Sequence, residues 1–187
     1  MTPGACPRTL LAGCAVALAL VPASAHAHRL DEYLQAATLR LAADRVAVHL
    51  RLVPGADVAR LLWDGMDRDG DGRLSPAEQQ AYARRVMDDV ALEVDGHPAP
   101  LTLVTWSFPT RADMAQGVGQ ISLGLDAPLA GTPGAHRLRL VSRHRPAPSV
   151  YLVNTLAPAD GAIRITGQRR SVDQAAYDLD FALGSRD

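Results

Sequence analysis

The sequence predicts a mainly β protein, an antiparallel β-sandwich with one inserted helix–loop–helix. Three observations predict it. Short stretches alternate apolar and polar residues with period two; glycine, proline and aspartate punctuate them at short intervals; and over about residues 57–90 alone the apolar spacing lengthens to that of a helix. Hydrophobic residues make up 48% of the 187-residue chain, enough for a folded core.

In chain order, the first feature is an export signal. Arg8 is the only charged residue before Arg29, residues 10–21 are apolar, and Pro22 and small residues follow. Ala23-Ser24-Ala25 and Ala25-His26-Ala27 both have the small-x-small form of a cleavage site. Residues 1–27 therefore read as a signal peptide, and 28–187 as one mature domain, periplasmic or secreted. Leu11-Ala12-Gly13-Cys14 spells a lipoprotein box, but most of the apolar run comes after Cys14, the wrong order for lipidation. Cys6 and Cys14 both lie in the signal, so the mature domain is expected to hold together by its core and its ions, without disulfides.

Residues 38–41 and 46–52 alternate with period two and read as a hairpin whose Val46, Val48, Leu50 and Leu52 face the core. Pro54-Gly55 ends it. From Asp57, a fair N-cap, Val58, Leu61, Leu62 and Met66 recur at helical spacing. A second helix over 76–89 has Tyr82, Ala83, Val86 and Met87 on its apolar side. Strand 91–94 then reaches Asp95-Gly96, a strong hairpin turn, and is expected to continue into 101–106. Further strands are expected over 119–125, 136–142, 150–155, 162–166 and 177–183.

The charge balance excludes a general nucleic-acid binder: 19 basic residues face 20 acidic ones. Every basic residue is arginine, so no catalytic or phosphate-loop lysine exists. Gly-x-Ser-x-Gly, His-Glu-x-x-His and a mature cysteine nucleophile are all missing, so the chain reads as a binding module and not an enzyme.

Residues 67–78, DRDGDGRLSPAE, carry the chemistry. They match D-x-[DN]-x-[DN]-G-x5-E without a gap. Asp67, Asp69 and Asp71 offer carboxylates at alternating points of a turning loop, and Gly72 supplies the bend. Arg73 offers its backbone carbonyl, Ser75 binds directly or through water, and Glu78 closes the site with both oxygens. An all-oxygen set with room for seven ligands suits Ca2+ over Mg2+. This is an EF-hand loop between its two helices, with Asp67, Asp69, Asp71, Arg73, Ser75 and Glu78 as the metal ligands. Ser75-Pro76-Ala77-Glu78 is also a capping box, so Glu78 has two competing tasks. No second loop is present to pair with it. Leu74 must then pack on the β-domain, meet a second molecule, or stay exposed.

Two weaker candidates remain. Cleavage after Ala27 would place His28 at the mature N-terminus, where its amine and ring suit copper, with His49, His97, His136 or His144 completing the site. The basic segment 137–145, with His136 beside it, is read as the solvated face of an edge strand more readily than as an anion site.

HRLDEYLQAATLRL (28–41), the loop near residue 70 and SVYLVNTLAPADGAIRITGQ (149–168) resemble the extracytoplasmic head of HupE/UreJ-like bacterial membrane proteins, a family linked with nickel and related metal transport. Those proteins continue into membrane helices, whereas this chain stops at Asp187. The resemblance implies a stand-alone periplasmic head, an accessory subunit with a separately encoded membrane protein as its partner.

Overall fold

A computed structural model describes residues 31–145 and 149–185. The expected signal peptide, both cysteines and His28 lie outside the described residues. Ten strands and three helices follow one another as β1 (Tyr33–Leu41), β2 (Arg45–Pro54), α1 (Ala56–Met66), α2 (Pro76–Asp88), β3 (Val90–Val94), β4 (His97–Pro98), β5 (Thr102–Ser107), α3 (Arg111–Ala115), β6 (Ile121–Pro128), β7 (Gly134–Ser142), β8 (Ser149–Thr155), β9 (Ile163–Arg170) and β10 (Ala176–Leu183).

The strands form two five-stranded sheets, ordered β5-β6-β2-β1-β8 and β4-β3-β7-β10-β9. The chain is mainly β, as the alternation predicts, and the sheets enclose one apolar core in a sandwich-like arrangement. Val46, Val48, Leu50 and Leu52 are all buried, in one core cluster with Leu138, Leu140, Leu179 and Phe181 of the other sheet's strands. Each such side chain contributes roughly 1.5–3 kcal/mol on burial. Period-two burial along β10, Tyr177, Leu179, Phe181 and Leu183 in, fixes its register, since a one-residue slip would turn all four to water.

Several expectations are corrected. The sheets are not wholly antiparallel: β1 pairs parallel with β8, Tyr33 opposite Ser149. Such a pair needs a long crossover, and the chain supplies it by way of the other sheet. Asp95-Gly96 does make a two-residue turn, both residues having positive φ, but its return arm is only His97 and Pro98, and the other edge of β3 pairs with β7. The chain then leaves for the first sheet, where β5 pairs with β6. Strand β7, expected at an edge, is the middle strand of its sheet, although Arg137 and Arg139 are exposed as expected. Gly55, not Asp57, is the N-cap of α1; Asp57 falls in the first turn, where its charge meets the positive end of the helix dipole. Leu61 is 62% exposed, because α1 turns Val58, Ala59, Leu62, Trp63 and Met66 to the core and Leu61 lies off that stripe.

The helices pack on the sandwich. Val86 of α2 is fully buried, and Leu74, between the helices, packs against the same core. Helix α3 was not expected. Its capping box, Thr110 with Asp113, starts it, Met114 is buried beneath it, and it lies against α1. No described helix is long and apolar enough to cross a membrane.

Candidate metal centre

The loop between α1 and α2 is shaped by its own backbone amides. The Gly72 amide donates to Asp67 Oδ2 at 3.0 Å, the Asp71 amide to Asp69 Oδ1 at 3.2 Å, and the Arg73 amide to Asp71 Oδ1 at 2.7 Å. These short-range bonds turn the chain tightly, and Gly70 and Gly72 take left-handed conformations, φ +72° and +81°, that a side chain would oppose. The Trp63 indole, buried in α1, donates to the same Asp67 oxygen at 3.2 Å and so fixes its carboxylate from the helix side.

The result is a cluster. One oxygen from each of Asp67, Asp69 and Asp71 lies within 4.8 Å of the others. Asp67 Oδ1 is buried and has no hydrogen-bond partner. A buried carboxylate oxygen left unpaired is costly, and a cation shared with its two neighbours removes that cost. The triad fits a metal ion.

Of the six residues expected as ligands, these three are brought together. Glu78 is engaged otherwise. Its Oε1 accepts the Arg68 amide at 2.6 Å, and its Oε2 accepts the Ser75 amide at 2.9 Å and the Ser75 hydroxyl at 2.7 Å. The Ser75 hydroxyl oxygen in turn accepts the Glu78 amide at 3.3 Å, completing the capping box. Glu78 is 8% exposed, and these bonds, the Ser75 hydroxyl foremost, lower its carboxyl pKa to about 2. The charge is thus held ready at the last position of the loop, next to the second residue. Arg73 and Ser75 keep the places in the loop that the spacing gives them.

Two features around the loop escaped the sequence reading. A Cβ at Gly72 would lie 3.2 Å from Arg111 Nη1, so α3 carries a guanidinium to the loop's surface. The Thr110-x-x-Asp113 cap was the available signal for α3. The second is a buried polar network behind α2. The Tyr82 hydroxyl meets the Tyr33 hydroxyl at 2.8 Å and His144 Nε2 at 3.2 Å, and His144 Nδ1 meets Asp89 Oδ2 at 2.8 Å. Gln35 Nε2 and the Tyr151 hydroxyl donate to the His144 carbonyl at 2.7 and 2.8 Å. Burial raises the pKa of Tyr33 and Tyr82 and lowers that of His144. Nothing in the local sequence pattern marks these residues, since they meet only in the fold.

A scan against protein-family models, a search of curated proteins and a search of solved structures each find no match to this chain.

Proposed function

We propose that this chain is an exported calcium-binding module with one EF-hand, held against a β-sandwich that the ion stabilises. The observation that carries the reading is the unpartnered, buried Asp67 Oδ1 inside a triad of carboxylates whose spacing continues, without a gap, to Glu78. Hard oxygen donors on a flexible loop favour Ca2+ over the smaller, strictly octahedral Mg2+. Bound there, the ion would be held by Asp67, Asp69 and Asp71, with the Arg73 carbonyl, Ser75 and Glu78 completing the set. Glu78 then gives up its bonds to Ser75 and Arg68 in exchange for the cation. A lone hand of this kind has an affinity on the order of 10⁻⁴ to 10⁻³ M, the range of extracellular modules.

Melting the purified chain with Ca2+ and with chelator tests this. At ten times the dissociation constant, binding stabilises the native state by about 1.4 kcal/mol, a rise of several degrees for a domain of this size. Glu78→Gln loses the charge and one acceptor oxygen, so the calcium-dependent rise should vanish, and the metal-free melting point should itself drop because the Arg68 and Ser75 bonds to the carboxylate are weakened. Equal wild-type melting points at saturating Ca2+ and in chelator would overturn the proposal.

A further inference from the structure

We propose that the outward face of the sheet ordered β5-β6-β2-β1-β8 is a docking groove for an acidic, extended peptide segment of a partner protein. The face is concave, and Arg40, Arg45, His49 and Arg51 line it. Its floor is low because Gly124 has no side chain and lies between His49 and Thr105, its neighbours in the sheet. A Cβ at Gly124 would collide with the Thr105 hydroxyl, so the hollow belongs to the packing of the sheet.

Most of the positive charge on this face has no acidic partner, Arg45 beside Asp126 being the exception, and the other sheet supplies the contrast. There Arg137 and Arg169 pair with Asp180, each at 2.8 Å, and Arg139 pairs with Asp178 at 2.9 Å. On the grooved face, among the described residues, Arg40 and His49 have no hydrogen-bond or ion-pair partner. Among the described residues Arg51 donates only to the neutral Gln120, while Arg45 makes two long, exposed ion pairs, 3.7 Å to Asp126 and 3.9 Å to Asp44, that contribute little. One sheet therefore pairs Arg137, Arg139 and Arg169 with aspartates, whereas the other leaves Arg40, His49 and Arg51 without an acidic partner.

The spacing selects the partner. Arg40 lies beside Ala47 of β2, and Arg51 is four residues further along that strand. Four residues of extended chain span about 13 Å, so carboxylates at every fourth position of an extended peptide match the two guanidinium groups. A single small anion cannot reach both, and a flat membrane surface cannot enter the hollow. Val104 and Leu156, 55% and 39% exposed at the rim, offer apolar contact to the residues between.

A short fluorescein-labelled peptide with glutamate at every fourth position, titrated with the whole chain, tests the proposal by anisotropy. Saturable binding is expected, weakening with added salt. Arg40→Glu with Arg51→Glu should weaken it by about tenfold or more, and Arg164→Glu, exposed on β9 of the other sheet, should leave it unchanged. Should the double variant fail to fold, Arg40→Gln, at an exposed and unpartnered position, should still weaken binding severalfold. No saturable binding, equal loss with Arg164→Glu, or preference for phosphatidylglycerol vesicles over the peptide would overturn it.

Discussion

The hydroxyls of Tyr82 and Tyr33 meet at 2.8 Å inside the core, joining α2 to β1. Glu78 lies one helical turn before Tyr82. On the proposed reading, a shift of Glu78 toward an ion would be delivered one turn away to a side chain fixed in the core, so the ion is expected to stabilise the domain and not the loop alone. Tyr82→Phe removes the hydroxyl and leaves the Tyr33 hydroxyl and His144 Nε2 short of a partner. It should destabilise the fold by about 1–3 kcal/mol. Denaturant unfolding with Ca2+ and with chelator measures this, and the calcium-dependent increment should shrink in the same variant.

Acid should expose the contribution of Glu78. Its carboxyl pKa falls from the ordinary 4.5 to about 2 in the native state, so the unfolded chain takes up the proton first as pH drops. The stabilisation is complete above about pH 4.5 and is lost progressively toward pH 2. Melting temperatures across this window should fall less steeply for Glu78→Gln than for wild type.

His144 and His136 should give opposite slopes near neutral pH. Burial lowers the His144 pKa despite Asp89, so its contribution is complete above the ordinary 6.5 and declines as pH falls below it. The hydrogen bond that His136 donates to the Asp95 carboxylate raises the His136 pKa, so its contribution is complete below 6.5 and disappears as pH rises through the native value. Stability measured from pH 5 to 8 should therefore rise more steeply in His136→Gln than in wild type.

Gly72 and Gly65 should respond to alanine with opposite sign. Gly72 has φ +81° and a neighbouring guanidinium, so Gly72→Ala should cost about 1 kcal/mol or more and weaken ion binding. Gly65 is exposed, lies within α1 and has nothing within 4 Å of a new Cβ, so Gly65→Ala should stabilise by about 0.5–1 kcal/mol. Thermal melts of the two single variants decide both signs.

Local chemistry made much of this legible in the sequence. Period-two alternation located the strands, and residues 67–78 stated their own turn, because each position has a task independent of the rest of the fold. What escaped depends on partners far along the chain. Residues 101–106 look like the return arm of the Asp95-Gly96 turn, yet they pair with β6 in the other sheet. Leu61 looks like core by spacing, but the position of the sandwich against α1 decides which side of that helix is covered. The Tyr33–Tyr82–His144–Asp89 network joins three separate segments, β1, α2 with its C-cap, and the residues after β7, and leaves no periodic trace.

The parallel pairing of β1 with β8 has a consequence for the order of assembly. Gln35 bonds to Ser149 across 114 residues of chain, so the first strand made finds its second neighbour only when the eighth has been synthesised. Contacts of such separation close late and slowly. Until then the β1 edge of the opening hairpin stays unpaired, so a chain cut short before β8 leaves that edge open to strands of other molecules.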